Sequence, residues 1–407
     1  MTSPALRVET TAVSGPRSLV FLTEPRHPLV WMRGGEGFAG YGEAVRLEFS
    51  GPRRFTDAAA AWAEISAAAR VEDAVDLPGT GLVGFGTFAF DDASSATSVL
   101  IVPRVIVGRR GTRSWLTRIR VGDEQTPDPV EHAFGSDYRV SFRAAQQTAP
   151  GFSDAVAAAV ERIRGGAAEK VVLARDLIGR VPAGADLRRV LAELALGYPD
   201  CWTFAVDGFL GSSPETLVRS QKGTVSARVL AGTTPRGRDL LSDAEAARSL
   251  AGSPKNVQEH GFAVRSVLAT LGPHTRRLQN SDPFTLELPN LWHLATDVEG
   301  VLGDGSTSLD LVAAMHPTAA VAGTPTDAAL AIIRELEPFD RGRYAGPVGW
   351  INGAGDGEWA IGLRCAQVAD DDTVRAYAGC GIVASSEPAA ELTESRIKFR
   401  PVVEAFA

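Results

Sequence analysis

The sequence predicts an α+β fold built on large antiparallel sheets, and three observations carry that prediction. Strand hairpins and helices alternate irregularly, without the strand–helix–strand rhythm of a parallel sheet. The first 150 residues are rich in Gly, Arg and β-formers and hold a single helical pattern. After residue 150, well-marked amphipathic helices appear between further hairpins. The division suggests a β-rich part over 1–150 and a second part over 151–407, intertwined as one unit.

Taken in order, "SLVFLTE", "FAGYGEAVRLEF", "GLVGFGTFAF", "SVLIVPRVIVGRRG" and "SWLTRIRVG" read as strands bounded by turn residues. One Ala-rich helix, "TDAAAAWAEISAAAR", interrupts them. The polar "GDEQTPDPVEHAFGSD", with two prolines, reads as a loop. "GFSDAVAAAVERIRGG" is a helix, with Ser153 able to cap it, Val156, Val160 and Ile163 on one stripe and Gly165-Gly166 as the stop. "EKVVLARDLIG" is a strand and "ADLRRVLAELALG" a helix. "CWTFAVDGFLGSSPE" reads as strand, Asp-Gly turn, strand, and "TLVRSQKGTVSARVL" as another hairpin. "SPKNVQEHGFAVRSVLATLGP" is a helix with Ser253 at its cap, Pro254 in its first turn and Gly272 past its end. "TPTDAALAIIRELEP" is a helix closed by Pro338, and "AGPVGWINGAGDGEWAIGLRCAQV" a hairpin. The last helix opens near Pro388, and Pro401 predicts a kink or break in it.

Composition narrows the function classes. With 407 residues, 44% hydrophobic and 22% charged, the chain has the makings of a soluble protein of two or three structural units. No apolar run is long enough for a bilayer, and the N-terminus lacks the pattern of a signal peptide. The net charge of −8, without a Lys/Arg run, offers nucleic acid nothing to bind. Cys201, Cys365 and Cys380 are odd in number and far apart, which points to a reducing compartment, the cytoplasm. The chain reads as a monomer, with a dimer also open. "GEGFAG" sets Gly35, Gly37 and Gly40 in a dinucleotide-type spacing, but a strand pattern follows where a helix is required, so a glycine-rich turn explains it better.

In "SSEPAAELTESRIKF", Glu391 and Glu394 stand at i,i+3 on one helical face, and Lys398 continues it. Alone, this is an exposed Glu–Lys ladder. Its neighbours suggest chemistry. "AGCGIVASS" places the backbone amides of Gly379 and Gly381 near the start of that helix, a setting suited to a bound carboxylate. Glu259 lies inside another helix and Glu215 follows the sharp "GSSPE" turn. Glutamates from separate helices suit Mg²⁺, a hard cation that takes oxygen ligands. The six histidines show no zinc-ligand spacing.

From about Glu169 to Phe399 the chain resembles the chorismate-utilising enzymes: the isochorismate, anthranilate, aminodeoxychorismate and salicylate synthases. The residues that carry this are "KVVLAR", "GSSPETLVR", "LAGTTPRG", "SPKNVQEH", "LWHLATDVEG", "HPTAAVAGTP", "DRGRYAGPVGW", "WAIGLRCA" and "AGCGIVASSEPAAELTESRIKF", in the family's order. Within the family it is most similar to the isochorismate synthases. "HPTAAVAGTP", with Ala320 and Val321, is their opening; Lys170 stands where anthranilate synthases carry Gln; Ala231 stands where aminodeoxychorismate enzymes carry a lysine nucleophile.

The resemblance implies two large, mainly antiparallel sheets packed together and flanked by helices, with a cleft for chorismate. It implies Mg²⁺-dependent addition of water at C2 and loss of the C4 hydroxyl, on a route to menaquinone or to a siderophore. Lys170 is then the base. A free lysine ionises near pH ~10.4, so that role requires burial or a nearby cation. Glu215 is the acid and must hold its proton near neutral pH. Glu259 and Glu394 hold Mg²⁺, with Glu391 helping directly or through water. Many members carry an acidic residue three before Glu259, where this chain has Asn256. Arg364 is a fork for the enolpyruvyl carboxylate, aided by Tyr344 and the amides of Gly379 and Gly381. Gly232, Thr233 and Ala320 line the ring. His293 either bonds near the ring or is a satisfied core histidine, and Lys398 pairs either with a substrate carboxylate or with the acidic helix. A salicylate synthase, which goes on to eliminate pyruvate, and a non-catalytic chorismate-binding protein are the alternatives.

Overall fold

The computed structural model describes residues 5–15, 18–122, 124, 126, 128, 130–289 and 291–407. Among these, strands assemble into a 13-stranded and a 10-stranded sheet. Every strand pair is antiparallel except Leu6–Val13 with Arg70–Asp73. Among the described residues no helix is long and apolar enough to cross a membrane.

Strands from before and after residue 150 adjoin within both sheets. Leu29–Arg33 pairs with Trp202–Val206 in the larger one, and Val83–Thr87 pairs with Pro347–Asn352 in the smaller. The sheets face one another across a core that includes Trp31, Phe38, Trp115 and Trp202 from the larger and Phe85, Trp350 and Trp359 from the smaller. The outer face of the larger sheet is covered by helices. Val190, Leu191 and Leu194 of Arg188–Gly197 and Phe399 and Val402 of Pro388–Ala405 pack in one cluster. Phe152, Val156, Ala159 and Ile163 of Ala149–Arg164 pack with Ile332 and Ile333 of Thr326–Leu336 in another. The expected stripe Val156, Val160, Ile163 is therefore a core face.

Several local expectations change. "SLVFLTE" is not a strand; Val20–Leu22 form a 3₁₀ turn whose Leu19, Val20 and Leu22 are buried. A short apolar run satisfies burial in either conformation, so periodicity could not separate them. "FAGYGEAVRLEF" is two strands: Glu36–Tyr41 in the larger sheet and Val45–Phe49 in the smaller. "SVLIVPRVIVGRRG" likewise splits at Pro103, its halves Ser98–Val102 and Val105–Arg110 lying in different sheets. The helix expected to be capped by Ser153 begins earlier, at Ala149, and Thr148 caps it by accepting from the Gly151 amide. The last helix runs through Pro401 without a break. The "GDEQTPDPVEHAFGSD" loop has no helix or strand where it is described; residues 123, 125, 127 and 129 lie outside the described residues. Gly35 is in a turn and Gly37 and Gly40 in a strand; a side chain on Gly37, at φ +133°, would meet the Trp31 carbonyl at 2.1 Å.

Candidate active site

The two sheets meet where the chain crosses between them twice, side by side. Phe209–Ser213 belongs to the larger sheet and Thr216–Gln221 to the smaller, so "SPE" bridges the seam and leaves Glu215 in it. Pro214 can donate no ladder hydrogen bond, and Ser213 Oγ takes over by donating to the Ile361 carbonyl at 2.6 Å. The second crossing runs from Gly357–Ile361 in the smaller sheet to Cys365–Val368 in the larger, placing Arg364 beside Glu215. Backbone bonds tie the crossings together: Ile361 N donates to Glu215 O at 3.1 Å and Ser212 N to Arg364 O at 3.1 Å. Arg364 has φ +48°, strained for a residue with a Cβ and typical of a functional position.

A cavity of about 240 Å³ opens at this seam. Lys170, Glu215, Gly232, Thr233, Glu259, His293, Ala320, Tyr344, Arg364, Gly379, Gly381, Glu391, Glu394 and Lys398 all line it, so the residues given catalytic, substrate or metal roles above share one cavity. Each arrives by its own local logic. Lys170 opens the strand Lys170–Arg180, whose alternation sets Lys170 and Val172 on the cleft face. Gly232, at φ +82°, sits in a bulge of Thr224–Pro235 opposite His293 and Leu294. Ser253 caps the helix Pro254–Leu271 and so fixes the turn that presents Glu259. Glu391, Glu394 and Lys398 share a face of Pro388–Ala405.

The electrostatics are unusual for a protein surface. Glu215 is 6% exposed, and burial moves its carboxyl up to about 7, against the opposing pull of Lys170, the Leu230 amide, Lys398 and Arg364. It is thus poised to hold a proton near neutral pH. Lys170 is buried, with Nζ 3.0 Å from Glu259 Oε1. Lys398 Nζ lies 2.7 Å from Glu394 Oε1 and donates to the Gly379 carbonyl at 3.0 Å. Burial is the largest single influence and works against that ammonium, yet Glu394, Cys380 and Tyr344 together outweigh it and the pKa rises. Lys398 is thus paired with the acidic helix while still lining the cleft.

Arg364 Nη2 lies 3.2 Å from His293 Nε2, and His293 Nδ1 lies 3.0 Å from Thr233 Oγ1. Burial, then Arg364 and Lys398, push the His293 pKa well down, so the ring is neutral. Since a guanidinium only donates, Nε2 accepts and Nδ1–H faces Thr233. His293 is therefore both hydrogen-bonded and at the cleft wall. Among the described residues Arg364 Nη1 is buried without a hydrogen-bond acceptor in good geometry, although the Cys201 thiol lies beside the guanidinium, and a carboxylate entering the cleft would supply one.

Glu259, Glu391 and Glu394 line the cleft with carboxylate oxygens, the donor chemistry that a divalent cation such as Mg²⁺ takes, though Glu259 is not among the ligand atoms that come together there. Ligand atoms of Cys380, Glu391 and Glu394 lie within 4.8 Å of one another. The Cys380 thiol is not suited to that ion: burial pushes its pKa well up, and Sγ donates to the Glu391 carbonyl at 3.3 Å. Gly381 is the floor of this region. A Cβ there would stand 2.6 Å from Glu259 Oε1 and 2.9 Å from Lys170 Cε, both movable side-chain ends. Gly381→Ala is expected to fold normally but to displace that ion pair, lowering kcat roughly 100-fold. Circular dichroism beside steady-state kinetics checks it, and a variant with the parent's kcat would contradict it.

Sequence reasoning passed over Tyr377 and Arg341, which also line the cleft. Tyr377 stacks on Tyr344, rings 5.1 Å apart at 10°. The strand period of two carried the signal, since Tyr377, Gly379 and Gly381 fall on one face.

Comparison with known proteins agrees with this geometry. Residues 21–407 match the family model described as chorismate binding enzyme. The chain is 39% identical over 267 residues to isochorismate synthase DhbC of Bacillus subtilis, covering 62% of this chain and 67% of that one. It is 30% identical over 361 residues to isochorismate synthase MenF of the same organism, covering 82% of this chain and 76% of the relative. The solved structure of the menaquinone-specific isochorismate synthase MenF from Escherichia coli superposes with a TM-score of 0.79, covering 99% of this chain and 95% of that one; at 24% identity it speaks for the fold. A seam between two antiparallel sheets, lined by the residues its motifs supply and matched over nearly its whole length, places this chain in the chorismate-binding enzyme family.

Proposed function

We propose that this enzyme is an isochorismate synthase, converting chorismate to isochorismate in the cytoplasm for menaquinone or siderophore formation. The observation that carries the reading is the pairing of a buried amine, Lys170, with a buried carboxyl held near pKa 7, Glu215, in one cleft. In this reading Lys170, which must first give up the proton it holds in its ion pair with Glu259, takes a proton from the water that attacks C2. The ring double bonds shift, the C4–O bond breaks, and Glu215 gives its proton to the departing hydroxyl. One water enters and one leaves, so the reaction is an isomerisation. Each general acid or base of this kind contributes about 10²–10⁴-fold.

Arg364, through Nη1, holds the enolpyruvyl carboxylate, and the neutral His293 keeps the guanidinium oriented. Gly379 and Gly381 leave room beside Tyr344 for that group. Glu259 and Glu394, helped by Glu391, would hold Mg²⁺. The ion would supply positive charge to the ring carboxylate and so ease the approach of an oxygen nucleophile beside it.

The test is product analysis. Purified protein with chorismate and Mg²⁺ is expected to accumulate isochorismate without pyruvate, and to lose that activity when the metal is chelated. Fluorescent salicylate with stoichiometric pyruvate would replace this reading with a salicylate synthase. No consumption of chorismate would leave a binding protein.

A further inference from the structure

The strand that carries Lys170 has one incomplete edge. Along one side it pairs without interruption, from Val171 opposite Ile382 to Arg180 opposite Thr373. On the other side, Gly323–Thr324 covers Lys170 and Val171, and Arg143–Ala144 covers Leu177 and Ile178. Val172 N donates to the Ala322 carbonyl at 2.8 Å. That leaves the Val172 carbonyl and the Ala174 amide facing a gap in a buried place, where unpaired backbone groups are costly.

Two side chains take the place of the missing strand. Ala174 N donates to Glu337 Oε1 at 2.7 Å, and Arg341 Nη2 donates to the Val172 carbonyl at 2.7 Å. Glu337 and Arg341 bond each other through Nε to Oε2 at 2.8 Å and Nη2 to Oε1 at 2.5 Å. Arg341 Nη1 donates in addition to the Val321 carbonyl at 3.0 Å. Both side chains are buried. One planar fork thus joins the strand of Lys170 to the wall formed by Ala320 and Val321. A lysine, with a single compact ammonium, cannot span those three directions. Arg341 also borders a second cavity of about 240 Å³ on the outer side, lined by Phe90, Asp91, Arg334 and Asp340, so the pair walls the cleft off from solvent behind it.

We propose that the Glu337–Arg341 ion pair is a positioning device for the reaction: it completes the edge of the Lys170 strand and sets the distance from Lys170 to the Ala320–Val321 wall. The assignment of Lys170 as base rests on the function proposed above; the edge-completing role does not.

The test uses Arg341→Lys and Glu337→Gln in the full chain. Arg341→Lys is expected to lower kcat about 100-fold on the folded fraction, with KM for chorismate within about threefold of the parent. Hydrogen exchange across residues 170–180 should accelerate about tenfold. Glu337→Gln retains an acceptor for the Ala174 amide but leaves the buried guanidinium without its counter-charge, and on the folded fraction it is expected to lose less, about fivefold in kcat. A merely structural role would lower stability and leave kcat of the folded fraction unchanged. Turnover is read as chorismate consumed, so a parent that makes salicylate would overturn the isochorismate assignment and leave this one standing. Unchanged kcat or unchanged exchange in Arg341→Lys overturns the proposal, as does a rise in KM alone, which would make Arg341 a substrate ligand. If the parent consumes no chorismate, exchange across residues 170–180 decides by itself.

Discussion

Glu215→Gln is expected to abolish turnover while making the protein more stable at alkaline pH. Glutamate ordinarily ionises near 4.5, and burial moves Glu215 to about 7. In the unfolded chain the carboxyl loses its proton as pH passes 4.5; in the folded chain it keeps it until about 7. The folded state is thus favoured fully below the lower value and gives up stability as pH rises across that window, levelling off at roughly 3 kcal/mol above it. Glutamine does not titrate, so the variant should match the parent near pH 4 and exceed it by roughly 3 kcal/mol at pH 8. Loss of the proton donor should lower kcat by about 10²–10⁴-fold. In the parent, kcat should fall as pH rises through the ionisation of Glu215, because the acid form is the one that works. Denaturant unfolding at the two pH values, beside steady-state rates, separates the outcomes. Activity within a few-fold of the parent would place the donor elsewhere. Lost activity without the pH-dependent stability gain would mean that the carboxyl is solvated.

This opposition of stability and activity also explains which features were legible in the sequence. Glu215, Lys170, Arg364 and the glutamates sit in short motifs, each dictated by a local need: a sheet crossing after "GSSP", a capped turn before Glu259, a glycine-rich strand leading into the last helix. Such needs leave a mark on neighbouring residues. Sheet membership leaves none. Periodicity marks Glu36–Tyr41 and Val45–Phe49 as strands, yet nothing in "YGEA" says that the chain changes sheets between them. Arg341 was invisible for a related reason. Its partners are the carbonyls of Val172 and Val321 and the carboxylate of Glu337; only the last is local, and an Arg four residues after a Glu reads as a surface pair. The Thr148 cap was missed because Ser153 offered a plausible start five residues later within the same stripe.

Lys170→Ala is expected to lose turnover by about 10²–10⁴-fold and, at the same time, to bind Mg²⁺ more tightly than the parent. Lys170 Nζ stands 3.0 Å from Glu259 Oε1, and both side chains are largely out of solvent. At that separation, with an effective dielectric of about 20, the attraction is roughly 5 kcal/mol before desolvation is charged against it. An ion coordinated by Glu259 must compete with that ammonium. Removing the amine removes the competitor, and even a third of the attraction corresponds to more than about tenfold in affinity. The variant should also be destabilised without metal, by roughly 3–5 kcal/mol as for other buried pairs broken on one side, and should regain much of this on titration with Mg²⁺, since a ligand that binds the folded state stabilises it by mass action. Thermal unfolding with and without Mg²⁺, calorimetric titration and chorismate turnover give three separate readouts. Unchanged turnover removes Lys170 as the base. Equal or weaker Mg²⁺ binding removes Glu259 as a ligand, whatever becomes of the rate. Only the combination of a dead enzyme and a better metal site fits an amine that both moves the proton and holds the carboxylate until the cation arrives.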